Sequence, residues 1–272
     1  MNMYDKIQEA ARFLQQHNSA GATVGIVLGS GLGNFTNEIE VTTAVPYAEI
    51  PHFPVSTVEG HSGKLIFGRI AGKPVIAMAG RFHFYEGYGP EEVVFPIRVL
   101  QALGVKTLLI SNAAGGTNPK WKVGDLMLIT DHISFFAHNP LIGRNDERFG
   151  PRFPDMSEPY KKELITRARQ IAADNGLELR EGVYFGVTGP TFETRAEYQL
   201  INTLGGQAVG MSTVQEVIAA RHMGMDVFAM SVITDIGIRE EENTITHEEV
   251  LEAAHAAEPK LTLIFRELIR SL

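Results

Sequence analysis

Short apolar runs rich in β-branched residues alternate along this chain with stretches whose apolar positions recur every three or four residues. The first pattern predicts strands at 23–29, 64–70, 74–80, 106–112, 125–131, 181–189, 207–211 and 226–234. The second predicts helices over the N-terminal "MNMYDKIQEAARFLQQ", over 90–103 and 158–175, after Thr194, over "VQEVIAARHMG", and from "THEE" to the end of the sequence. Pro90 near one start, Gly104 and Gly176 after two ends, and Thr246 with Glu249 at capping-box spacing punctuate these helices. The tetrapeptide "IAGK" makes the turn between the second and third strands. No repeat, low-complexity tract or Pro/Ser-rich linker interrupts the alternation, so the expectation is a single α/β domain over 1–272.

Composition narrows the picture. With 44% hydrophobic residues the 272-residue chain can fill a substantial core. Its formal charge of -8 and its lack of a Lys/Arg run argue against a nucleic-acid partner, while leaving room for a small anion at one site. The absence of cysteine excludes disulfides, thiolate nucleophiles and Cys-based zinc sites, and the nine histidines include no HExxH. The N-terminal helix carries charges, and no apolar run approaches the roughly 18 residues that a membrane span needs. The expectation is a cytoplasmic protein without a membrane partner.

Open α/β sheets bind ligands beyond the carboxyl ends of their strands, and six predicted strand ends here carry unusual chemistry. In "GSGLGN" glycines allow the backbone to turn sharply so that N–H groups converge on an oxyanion, with the Ser30 hydroxyl as a further donor. A purely structural turn is the plain alternative. A dinucleotide fingerprint is not completed, because Asn34 stands where GxGxxG requires its last glycine, and the Walker GK[ST] is missing. In "GRFHFYEGY", strand alternation would point Arg81, His83 and Tyr85 to one side, with Arg81 able to fork onto two phosphate oxygens and Glu86 able to orient His83. A solvated turn with an Arg–Glu pair competes with that reading.

The other four ends are individually weaker. "NAAGGTN" reads as a small, flexible loop permitting close backbone approach to a flat ligand. "GPTFETRAE" sets Phe192 beside Glu193, an aromatic face and a carboxylate that suit a base bearing N–H groups, although helix capping at Thr194 accounts for an acidic neighbourhood equally well. Ser212 in "GMSTVQE" reads first as a helix cap, Asp235 in "SVITD" as a turn acid, and His247 as an exposed residue.

Together these motifs closely resemble the trimeric purine nucleoside phosphorylases over nearly the whole chain. "GSGLG", "GHSGKL", "GRFHFYEGY", "NAAGG", "NDERFGPRFPDMSEPY", "GPTFETRAE", "VGMSTVQEV", "SVITD" and "HEEV" occur in the family's order and approximate spacing. The resemblance implies the nucleoside phosphorylase fold, a mixed twisted central β-sheet flanked by helices. It also implies phosphorolysis of purine (deoxy)ribonucleosides to a purine and (deoxy)ribose 1-phosphate, in purine salvage.

Carried over residue by residue, the resemblance implies phosphate at Ser30, His61, Arg81, His83, the backbone at Ala113, and Ser212. The ribose falls at Tyr85, Met211 and His247, with Phe153 lent by the adjacent subunit of a homotrimer. The purine falls at Ala114, Gly115, Phe192, Glu193, Val209 and Asp235. His83, Glu193, Asp235 and His247 take the catalytic roles. The chemistry separates an oxocarbenium-like sugar from an anionic purine, so phosphate serves as both nucleophile and counter-charge and no cofactor or metal is required.

Asp235 departs from the pattern, since relatives acting on 6-oxopurines usually carry asparagine there. An ionised aspartate only accepts hydrogen bonds, so it suits a 6-amino group or must be protonated to donate to O6; burial beside Glu193 would favour the proton. The expectation is a purine preference widened to adenosine. Gln215, proline in many relatives, and a short 236–246 loop also depart from the pattern. The alternatives are 5′-deoxy-5′-methylthioadenosine phosphorolysis, nucleoside hydrolysis, a non-catalytic nucleoside-binding protein and an NAD-dependent oxidoreductase. His247 favours a 5′-hydroxyl over a methylthio group, and the missing Asp-rich calcium motif disfavours a hydrolase.

Overall fold

The computed structural model describes residues 1–17, 21–55, 62–135, 138–238 and 244–272. Among the described residues nine strands form one mixed sheet: β1 (Val24–Val27), β2 (Glu40–Pro46), β3 (Lys64–Ile70), β4 (Lys73–Ala79), β5 (Thr107–Gly116), β6 (Leu126–Ile133), β7 (Leu179–Gly186), β8 (Ala208–Gly210) and β9 (Asp226–Ile236). Their order is β2-β3-β4-β1-β5-β8-β7-β6-β9, and a further pairing of β5 with β9 closes five of them into a ring. β1 runs parallel to β4 and β5, and β5 runs parallel to β9, whereas β2–β3, β3–β4, β5–β8 and β6–β9 are antiparallel.

The helices are α1 (Met3–His17), α2 (Pro90–Val93), α3 (Phe95–Ala102), α4 (Lys162–Asp174), α5 (Arg195–Thr203), α6 (Val214–His222) and α7 (His247–Ser271). The central strands are apolar on both faces, as strands covered by helices on either side must be; every residue of β1 is buried. Helix α6 is enclosed on almost every side, and it carries Gln215, Glu216 and His222 into the interior along with its apolar residues. The expected turn between β3 and β4 has both central residues at positive φ, Ala71 at 48° and Gly72 at 79°, matching the hand of hairpin turns.

Several boundaries differ from the sequence reading, each for a physical reason. The single helix expected over 90–103 is two, because Pro96 lacks the N–H that would bond to residue 92 and its ring crowds that carbonyl. The helix expected from 158 begins at Lys162. β2 was not expected; it is an edge strand with mostly exposed side chains, so it shows no apolar run. The 113–116 segment is no flexible loop: β5 continues to Gly116, paired throughout with β9, which itself extends through Asp235 to Ile236.

Candidate active site

The close approach of two strands shapes the glycine loop after β1. A Cβ on Gly29 would lie 2.8 Å from both the Asn112 Cα and the Ser111 carbonyl oxygen, so only glycine lets the loop cross β5 there. Gly31 has φ +72°, and its Cβ would lie 2.7 Å from the Ala254 Cβ of α7. The Gly29 N–H is satisfied by the Ser111 hydroxyl at 3.2 Å, and the turn presents Ser30 to a cavity. Arg81, His83, Tyr85, Ala113, Ala114, Gly115, Phe192, Glu193, Val209, Met211, Ser212, Asp235 and His247 line the same cavity. Asn112, Tyr198, Gly210, Thr234 and Val250 complete its wall.

Two hydrogen-bonded clusters organise this space. In the first, Arg81 is buried and donates from Nε and Nη2 to the two Glu216 oxygens, at 3.0 and 2.9 Å. Its Nη1 donates to the Ser111 carbonyl at 2.8 Å and to the Ser212 hydroxyl at 3.2 Å. This corrects the expected use of the arginine fork. Its Nε–Nη2 face, one of the two that can bond a pair of oxygens, is occupied by a carboxylate of α6, because a guanidinium this deeply buried needs an internal anion. Ser212 is likewise not the cap of α6. Thr213 holds that position with φ 72°, a strained value for a β-branched residue, and the Asn112 side chain donates to its hydroxyl at 2.8 Å.

His83 meets Glu86 as its spacing suggested, with Nδ1 3.0 Å from Glu86 Oε1 and the His83 N–H donating to the same oxygen at 2.8 Å. Its ring stacks on Tyr85 with centroids 4.7 Å apart. Burial lowers the His83 pKa and the Arg81 charge adds to this, while Glu86 opposes both; the outcome is a pKa below the usual histidine value. A neutral imidazole tethered by Nδ1–H to Glu86 leaves Nε2 as an acceptor.

The second cluster joins Glu193, Tyr198 and Asp235. The Tyr198 hydroxyl donates to Asp235 Oδ2 at 2.8 Å, and the Thr234 hydroxyl reaches Oδ1 at 3.3 Å. A bulge sets Ala114 against Ile233 but Gly115 against Asp235, which re-aims the end of β9. Gly115 is required beneath it, since a Cβ there would sit 2.6 Å from Tyr198 Oη and 2.9 Å from Asp235 Oδ2. The helix after Glu193 is capped without it: Thr194 and Glu197 form a reciprocal capping box that begins α5. Glu193 is therefore left to the cavity, where burial, with smaller contributions from Asp235 and Glu197, pushes its pKa up to about 7.

Phe153, expected to serve a neighbouring subunit's site, does not line this cavity and is 87% exposed on a loop, and His61 lies outside the described residues. Sequence reading missed Glu216, Tyr198, Thr213 and Asn112. Glu216 had a signal, as a carboxylate within the enclosed apolar run of α6. Tyr198 had none, because an aromatic on the inner face of an amphipathic helix reads as core.

The chain is similar to known proteins along nearly its whole length. The family model of the phosphorylase superfamily matches residues 23–270. Purine nucleoside phosphorylase 1 of Geobacillus stearothermophilus is 48% identical over 266 residues, covering 98% of this chain and 97% of the relative. Isoform 2 of the Schistosoma mansoni purine nucleoside phosphorylase, solved with cytosine and ribose-1-phosphate, superposes with TM-score 0.94 at 43% identity, over 99% of this chain and 97% of that one. The Schistosoma mansoni purine nucleoside phosphorylase in complex with adenosine also gives 0.94, at 40% identity over 98% and 97%. With its mixed sheet, its cavity and these matches along nearly all of its length, the chain belongs to the purine nucleoside phosphorylases of the phosphorylase superfamily.

Proposed function

We propose that the protein catalyses the reversible phosphorolysis of purine (deoxy)ribonucleosides to a free purine and (deoxy)ribose 1-phosphate. The observation that carries this reading is the shared cavity, which holds an anion-type cluster built on Arg81 and a base-type cluster built on Glu193 and Asp235. Phosphate is the co-substrate, received by Ser30, Arg81, His83, the Ala113 backbone and Ser212, with His61 nearby. Tyr85, Met211 and His247 take the ribose, and the purine lies among Ala114, Gly115, Phe192, Glu193, Val209 and Asp235. No cofactor or metal is called for. As C1′–N9 opens, the phosphate charge stabilises the oxocarbenium-like sugar, and preorganised donors need not reorient. Glu193 holds the base through its N–H edge, and Asp235 acts at the N7 side of the leaving purine.

The active assembly is a homotrimer in the cytoplasm, formed from single-domain chains. Phe153 supports the trimer: the loop presenting it is held by Arg152, which donates to the Leu141 and Gly143 carbonyls at 3.0 and 2.9 Å, yet its ring stays exposed in the lone chain. Asp235 extends the substrate range to 6-aminopurine nucleosides, consistent with the adenosine complex of a relative. Purine release from inosine, guanosine and adenosine, with and without phosphate, tests the reading. Phosphate-dependent release with ribose 1-phosphate as second product supports it. Release without phosphate would indicate a hydrolase, and no release a binding protein. An Asp235→Asn enzyme with an unchanged inosine-to-adenosine ratio would refute the extended range.

A further inference from the structure

One face of α7 carries both a wall of the cavity and an anchor for the glycine loop. At 3.6 residues per turn, His247, Val250, Leu251, Ala254 and Glu258 fall on one side of this helix. His247 and Val250 line the cavity. Three turns on, the Glu258 side chain meets the segment that follows the 29–32 turn. Ser30 sits inside that turn, which the Leu32 N–H closes by donating to the Gly29 carbonyl at 3.2 Å. The chain then enters a short 3₁₀ helix, Gly33–Glu38. The first N–H groups of a helix have no partners within it, and Leu32 at the cap position has no side-chain oxygen to offer them. Glu258 supplies one from 223 residues away, accepting from the Phe35 N–H at 2.8 Å.

Neighbouring contacts hold the same stretch on α7. A Cβ on Gly31 would lie 3.0 Å from the Leu251 carbonyl oxygen, Asn34 Nδ2 lies 3.1 Å from His255 Nδ1, and the Phe35 ring meets Phe265 edge-on with centroids 5.8 Å apart. Glu258 itself is only 3% exposed, and burying a carboxylate costs desolvation unless hydrogen bonds replace the water. His255 lies within ion-pair reach, with Nδ1 3.4 Å from Oε2, but its side chain is 64% exposed and it offsets little of that cost. The Phe35 N–H is the inward-facing group that this carboxylate answers.

Resting on the phosphorolysis reading, we infer that Glu258 is a positioning residue for phosphate, whose carboxylate caps the helix behind the glycine loop and so lets α7 set the distance between Ser30 and the ribose side of the cavity. The Ser111 hydroxyl holds the Gly29 end of the turn on β5, and Glu258 holds the far side on α7. Without the second hold, Ser30 swings on the first. Phosphate then loses a well-placed donor and sits off the line of attack on C1′. The base cluster, built on β5, β9 and α5, keeps its geometry.

The test measures KM for phosphate, KM for nucleoside and Tm in the wild-type enzyme, Glu258→Met, Glu258→Gln and Ile264→Val. Glu258→Met keeps the bulk but removes the acceptor, so KM for phosphate should rise about tenfold, the worth of one charge-assisted hydrogen bond, with KM for nucleoside nearly unchanged. Glu258→Gln retains a carbonyl oxygen for the Phe35 N–H and should keep KM for phosphate close to that of the wild type. Ile264→Val trims a buried side chain on another face of α7, so it should lower Tm and leave both KM values alone. An equal rise in both KM values in Glu258→Met, no rise at all, or the same rise in Glu258→Gln would overturn the positioning role. Should Glu258→Met fail to fold, Glu258→Asp, whose carboxylate stops one methylene short of Phe35, takes its place with the same expected split. The absence of phosphate-dependent release by the wild type would overturn the phosphorolysis reading instead.

Discussion

Arg81 and Glu216 form a two-pronged ion pair inside the protein, with side chains only 1% and 3% exposed. The pair joins the end of β4 to α6 and fixes the one guanidinium nitrogen that reaches Ser212. Removing one member of a buried pair leaves an uncompensated charge, which costs about 3–5 kcal/mol. Glu216→Ala should therefore lower unfolding stability by that amount in urea titrations. Glu216→Gln keeps the shape but loosens the arginine, and it should raise KM for phosphate about tenfold with a smaller change in KM for nucleoside.

The Gly29 contact gives a second expectation. A methyl group at 2.8 Å from backbone atoms of β5 cannot be relieved by rotating a side chain, so β1 and β5 must separate. Overpacking of this kind costs about 1–3 kcal/mol. Gly29→Ala should lose that stability and weaken phosphate binding by displacing Ser30. Gly33→Ala, which meets nothing within 4 Å, should show neither effect. Thermal melts with phosphate titrations compare the two.

Glu193 links stability to pH. Its pKa is raised to about 7 in the folded chain, against an ordinary value of 4.5, so the folded state binds a proton that the unfolded state has already released. Its contribution is therefore full below about pH 4.5 and is lost as pH rises through about 7. His83 slopes the other way, because its lowered pKa costs stability as pH falls below the ordinary value of 6.5. Glu193→Gln should consequently steepen the rise of stability with pH between about 4.5 and 7. Denaturant midpoints measured at half-unit pH intervals on both proteins would show it, and parallel curves would contradict it.

Phe153 separates assembly from folding. An 87% exposed side chain contributes little to its own protomer, so Phe153→Ala should change protomer stability by no more than about 0.5 kcal/mol. If a neighbouring subunit's site uses this ring, KM for nucleoside should rise at least about tenfold while KM for phosphate stays nearly constant. Sedimentation of wild type and variant would establish whether either is trimeric and whether the substitution changes the assembly.

Much of this was legible from the chain alone, because local chemistry carries it. Alternating β-branched runs give the strands, Thr246 and Glu249 begin the last helix, "IAGK" makes its hairpin turn, and Glu86 orients His83 three residues away. All of these rest on contacts between residues close in sequence. The placing of Ser30, Arg81, Glu193 and Asp235 in one site was legible only as a set of motifs, each with a plausible plain role.

Partners far apart in sequence were decided by the tertiary structure. Glu216 lies 135 residues from Arg81, and Tyr198 lies 37 from Asp235. No periodicity shows that α6 is enclosed on nearly every side, that β5 and β9 close a ring, or that a bulge sets Asp235 opposite Gly115. Sequence patterns report the polarity each position requires. The burial of a charge, and the anion that then has to meet it, follow from how the layers pack.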